Sequence, residues 1–175
     1  VVGVVMVGCV AALGGGTVRD LLLQRPVFWI QDANYLVVAF VSTVLVFLLV
    51  RRLKLPTQLF LIPDAIGLAL FTVSGTQIAL DHQTHWLAAS LLGVITGVFG
   101  GVLRDVLCNE VPLIFVRGEL YASAAWAGAL MLVLLEQGLG LGPLVASLIA
   151  MLAIFATRVA ALAFKLHMPT YRERG

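Results

Sequence analysis

The sequence predicts an all-α membrane protein built as an inverted repeat, and three observations carry that prediction. The first is composition. Of 175 residues, 61% are hydrophobic and 11% charged, with a mean hydropathy of +1.07. A soluble domain holds roughly 25% charged and about 45–50% apolar residues, so lipid is the solvent for much of this surface. The second is a series of apolar runs long enough to cross a bilayer and lacking the period-two alternation of barrel strands. The third is a duplication. Gly15-Gly16-Thr17-Val18-Arg19-Asp20 returns as Gly100-Gly101-Val102-Leu103-Arg104-Asp105, and Gly8 matches Gly93 in the same register. Downstream, a one-residue insertion brings Pro26 onto Pro112 and Tyr35 onto Tyr121.

The spans follow in order. The first covers 1–18 and stops at Arg19-Asp20, and the second runs from about Tyr35 to Val50, ending at Arg51-Arg52. The third starts behind Pro63-Asp64 and reaches Leu80, with Asp64 read as its N-cap. The fourth is 86–103, the fifth 120–135, and the last opens at Pro143 and continues to Phe164. Two spans separate the motif helices, so these cross the membrane in opposite directions and the repeat is inverted. Copy two then holds three helices where copy one shows two, and the chain opens inside an apolar run. A further helix ahead of Val1 is therefore expected. The predicted architecture is two inverted three-helix units plus a closing seventh helix, divided as 1–52, 53–137 and 138–175.

Lysine and arginine set the orientation. Arg51, Arg52, Lys54, Arg117, Lys165, Arg172 and Arg174 fall on one side; Arg25, Asp32, Asp81 and Glu136 fall on the other. The positive-inside rule puts the C-terminus in the cytoplasm. The net charge of +2 and the absence of basic–aromatic clusters give no reason to expect nucleic acid. Cys9 and Cys108 read as small hydrophobes, and His82 and His85 lack further ligands for a metal.

Candidate site residues cluster at the duplication. Gly14, Gly15, Gly16, Gly100 and Gly101 cost about 1 kcal/mol each relative to alanine in a helix. Close helix packing explains one such pair. Duplication beside charges favours a kink or break that turns carbonyls toward a watery pathway. Arg19, Asp20, Arg104 and Asp105 have apolar sequence on both sides, which points to paired interior charges. The inverted symmetry suggests that Arg19 meets Asp105 and Arg104 meets Asp20. Thr72, Ser74, Thr76 and Gln77 are candidates either for pore lining or for interhelical hydrogen bonds. Arg158 reads as a snorkelling side chain near the cytoplasmic end of the last span, and 122–129 as a small-residue packing face.

The runs 12–23 and 100–107, with Pro26-Val27-Phe28-Trp29 and Glu110-Val111-Pro112, resemble the bacterial branch of the trimeric intracellular cation (TRIC) channel family, also described by its repeated glycine-transporter domain. The resemblance implies seven helices, a homotrimer in the bacterial inner membrane, and one pore per subunit. It further implies bends at Gly14–Gly16 and Gly100–Gly101 that line a path for potassium or sodium, with no cofactor and with lipid, monovalent cations and a second copy of itself as partners. Two functions compete: a passive monovalent cation channel, and a secondary transporter for a small amino acid such as glycine. An enzyme is not expected, since no HExxH or GxSxG motif is present.

Overall fold

The computed structural model describes residues 2–52, 61–116 and 120–164, and every regular element among them is helical. Helix α1 is Val2–Leu22, α2 the short Phe28–Gln31, α3 Asn34–Arg52, α4 Leu61–Asp81 and α5 Trp86–Leu107. A 3-10 turn at Leu113–Phe115 precedes α6 (Ala122–Val133), which passes through a π turn at Leu134–Gly138; α7 is Pro143–Phe164. Five of these, α1, α3, α4, α5 and α7, are long and apolar enough to span a membrane. The α6 segment is shorter, and its π turn carries the backbone to Gly138, beyond the expected end at 135.

The helices pack through small residues, as lipid-embedded helices must when no hydrophobic effect drives them together. The most extensive interface joins α4 to α5. Gly75 faces Thr96, Gly93 faces Thr72 and Thr76, and Gly97 faces Thr72 and the Leu68 carbonyl. Around it α6 and α7 close a core of Leu68, Val73, Val98, Ala125, Leu132, Ala150 and Ile154. In contrast, α3 buries only Ala39 and turns Val37, Phe40, Val41, Leu45 and Leu48 outward. An apolar exterior of this kind suits a helix long and apolar enough to cross a membrane.

Contacts between α1 and α5 establish the inverted symmetry. A Cβ added at Gly15 meets the Thr96 carbonyl oxygen, and one added at Gly100 meets the Ala11 carbonyl oxygen. As α1 advances from 11 to 15, α5 recedes from 100 to 96, so the helices are antiparallel. Gly15 and Gly100 occupy equivalent positions in the duplication, as do Ala11 and Thr96. The two contacts are therefore one contact seen twice through a pseudo-twofold axis.

Both motif helices also end alike. Gln24 (φ 53°) and Asn109 (φ 57°) adopt the left-handed conformation, and the next residue closes the helix, Arg25 N–H to Asp20 O at 3.0 Å and Glu110 N–H to Asp105 O at 2.8 Å. This is a Schellman ending with Gln or Asn in place of glycine. Extended Val27 and Pro112 then lead into the short helices that begin at Phe28 and Leu113. Val27 thus corresponds to Pro112, and the inserted residue falls after Phe28, later than the Pro26–Pro112 match implies.

On copy two, α4 covers α5. The corresponding faces of α1 and α3 border an apolar groove of about 840 Å³, past Val4, Val7, Val46 and Phe47. The helix expected ahead of Val1 lies outside the described residues, as do the orientation markers Lys54, Arg117, Lys165, Arg172 and Arg174.

Candidate functional site

The glycine motifs meet where α1 crosses α5, but neither helix is broken there. Val2–Leu22 and Trp86–Leu107 are continuous α-helices through Gly14–Gly16 and Gly100–Gly101. The expected break is corrected to a close crossing. Gly15 and Gly100 each lie against backbone of the opposite helix, Gly14 against Leu103, and Gly16 against the Phe28 ring at 2.6 Å from its added Cβ. Missing side chains, not freed carbonyls, are what the glycines supply.

The charges are interior, but they do not pair across the axis. Arg19 bonds its neighbour Asp20, with Nη2 2.7 Å and Nε 2.9 Å from Oδ1. Arg104 likewise donates from Nε to Asp105 Oδ1 at 2.8 Å. Helix α1 carries Arg19 and Asp20 to one end of the bundle while antiparallel α5 carries Arg104 and Asp105 to the other, so the expected cross-pairs are out of reach. Each aspartate instead holds the chain that follows it. Asp20 Oδ2 accepts the Phe28 N–H at 2.9 Å, and Asp105 Oδ2 accepts the Leu113 N–H at 3.3 Å. Each carboxylate thereby satisfies the first orphan donor of the next helical turn.

Outside this shared clamp the two ends differ. Asp20 is 0% exposed and Arg19 5%, with Arg25 Nε 3.6 Å from Asp20 Oδ1. At the α5 end Arg104 also bonds Asp64, Nη1 to Oδ1 at 3.0 Å. Asp64 sits inside the first turn of α4, which starts at Leu61, so it is an ion-pair partner and not the expected N-cap. Glu110 occupies the position equivalent to Arg25, which leaves the α5 cluster the more acidic of the two.

Two cavities flank the crossing. One, of about 210 Å³, is lined by Gly15, Gly16, Gly100 and Gly101 together with Asp64, Arg104 and Tyr121. The other, of about 400 Å³, is lined by α1, α3 and α4 and reaches Arg19, Arg25, Tyr35 and Ser74. Both share Ala12, Gly16 and Phe71 as walls. A continuous route past these three residues would join the Arg104–Asp64 cluster to the Arg19–Asp20 cluster.

The polar residues of α4 divide. Thr72 and Thr76 are fully buried against α5, with Thr76 Oγ1 donating to Thr72 O at 2.9 Å. Ser74 lines the larger cavity. Gln77 donates to Asp81 Oδ1 at 3.1 Å and Glu136 Oε1 at 3.2 Å, which ties α4 to the π turn. His85 caps α5 by accepting the Leu87 N–H, and His82 bonds Ile78 O. Arg158 corrects another expectation. It is 1% exposed, with its guanidinium 4.9 Å from the Tyr121 ring centroid, and so is buried within the bundle and not snorkelling. Asp64, Tyr121 and Arg158 are the site-region residues that sequence reasoning missed.

Comparison with known proteins agrees with this geometry. The family model described as glycine transporter matches residues 1–51 and 61–137. The chain belongs to this family. It is similar to the UPF0126 inner membrane protein YadS of Escherichia coli, 40% identical over 171 residues, 97% of this chain and 82% of that protein. Its fold is similar to that of a TRIC trimeric intracellular cation channel orthologue from Rhodobacter sphaeroides, with a TM-score of 0.86 and 36% identity over 93% of this chain and 83% of that one. A second TRIC cation channel matches at a TM-score of 0.82 and 28% identity, over 99% of this chain and 94% of that one. The resemblance drawn from the paired glycine–arginine–aspartate motifs is borne out, and membership in a channel family makes the protein a non-enzyme.

Proposed function

We propose that this protein is a monovalent cation channel, with potassium the favoured permeant ion. The observation that carries the reading is the glycine crossing between two cavities, with the shared walls Ala12, Gly16 and Phe71 between an Arg–Asp cluster at either end. Side chains are absent where the two helices cross, and Arg19–Asp20 and Arg104–Asp105 stay paired, so a permeating ion does not meet a lone carboxylate there. Gly14, Gly15, Gly16, Gly100 and Gly101 form the neck, and Arg19, Asp20, Arg104 and Asp105 hold its ends. Among the polar α4 residues, Ser74 is the pore-side one. The chain divides into repeats at 1–52 and 53–137 and a closing segment at 138–175, assembles as a homotrimer in the bacterial inner membrane with lipid around it, and keeps its C-terminus in the cytoplasm.

The transporter reading loses its physical basis with the unbroken helices. A broken transporter helix offers the N-terminus of a half-helix to a substrate carboxylate, and continuous α1 and α5 present none at the crossing. Purified protein in planar bilayers with potassium chloride tests the proposal. Unitary current steps with a cation-selective reversal potential are expected; saturable, ion-coupled glycine uptake without such steps would overturn it.

A further inference from the structure

We propose that Asp64 is the cation-selecting carboxylate of this route, and that a partly dehydrated monovalent cation docks at its Oδ2. The inference deepens the channel reading and rests on it. The Asp64 side chain is 9% exposed, and its Oδ1 is occupied by Arg104 Nη1 at 3.0 Å. Among the described residues, Oδ2 has no hydrogen-bond donor, although Asp64 lines the cavity between the glycine motifs. A buried carboxylate oxygen without a partner is strongly disfavoured, and a cation supplies what it lacks.

Room exists beside it. Gly67, one turn further along α4, lines the same cavity, and a Cβ added there meets nothing within 4 Å. The local charge has the right sign. Among the described residues, Asp64 and Asp105 share Arg104 as an ion-pair partner, two carboxylates to one guanidinium, whereas Asp20 faces both Arg19 and Arg25, two guanidiniums to one carboxylate. Tyr121 also lines the cavity, and the Arg158 guanidinium stacks on its ring, 4.9 Å from the centroid. The duplicated motif therefore has a cation-attracting end and a cation-repelling end, and Asp64 makes the difference.

Reversal potentials in a potassium chloride gradient test this with Asp64→Asn and Asp64→Glu. The asparagine variant should lose about tenfold in potassium-over-chloride permeability, and the glutamate variant should retain most of it. The difference should persist in molar salt, because a buried charge is screened much less than an exposed one. Parental selectivity in a conducting Asp64→Asn channel would overturn the inference and leave the channel reading standing. Should Asp64→Asn fail to fold, Gly67→Val fills the neighbouring space without touching the ion pair. It should at least halve the conductance, and parental conductance and selectivity would overturn the proposal. Should the parent pass no current, the channel reading fails, and Asp64 is judged by melting in detergent. Stabilisation by potassium chloride over choline chloride that Asp64→Asn abolishes supports the site; equal melting in both salts refutes it.

Discussion

Asp20→Ala separates an interior clamp from a surface anchor. Asp20 is fully buried and accepts from Arg19, from the Phe28 N–H and, at longer range, from Arg25. Removing the carboxylate leaves the Arg19 guanidinium, 5% exposed, over the Phe28 ring at 5.9 Å without its ion-pair partner, and orphans the first N–H of α2. Breaking a buried pair from one side costs about 3–5 kcal/mol. The equivalent Asp105→Ala should cost less, about 1 kcal/mol, because the Arg104 side chain is 40% exposed and keeps Asp64. Fluorescence-detected size exclusion across a temperature ramp reads the order. Asp20→Ala should melt well below Asp105→Ala, and Arg51→Ala, an exposed residue at the end of α3, should melt with the parent. Asp20→Ala melting within a degree or two of Arg51→Ala would refute the buried-clamp reasoning.

Three further outcomes are expected. Gly15→Ala and Gly100→Ala each drive a methyl into opposing backbone and should destabilise by about 1–3 kcal/mol, while Gly3→Ala, with open space around it, should be neutral or mildly stabilising in the same melting assay. Arg158→Ala should lower stability by about 1–3 kcal/mol through the lost stack on Tyr121 and the lost packing of its stem, and Arg158→Lys should recover only part of it. Phe71→Ala should raise unitary conductance by removing a wall shared by both cavities, and Phe71→Trp should lower it; unchanged conductance in both would remove Phe71 from the route.

The spans, their order and the inverted duplication were legible because each rests on the sequence itself: apolar length, glycine register and the number of crossings between motifs. Arg–Asp pairing was not legible in the same way. Adjacent helical residues normally point apart, and it is the Schellman ending after each motif that turns the aspartate toward Phe28 or Leu113 while the long arginine curls back to it. The prolines Pro26 and Pro112 suggest a register one residue out at this point, which masks the shared eight-residue spacing from each aspartate to its N–H donor. The duplicated glycines beside charges read as a kink or break from sequence, because only the opposite helix, which sequence does not show, marks them as contacts. Arg158 left a signal that was available. It continues the stripe Ala146, Ala150 and Ile154 at intervals of one turn, the face that α7 buries. Thr72 and Thr76 likewise share one α4 face, and Gly93 and Gly97 are spaced to receive it.

The central claim, a cation route past Ala12, Gly16 and Phe71, is tested most directly by cysteine modification during single-channel recording. With Cys9 and Cys108 replaced by alanine, Phe71→Cys should lose most of its potassium current when a positively charged methanethiosulfonate reagent is added. Leu152→Cys, on the outward face of α7 at 66% exposure, should conduct unchanged under the same reagent. Unaltered current from a Phe71→Cys channel that mass spectrometry shows to be labelled would contradict the account.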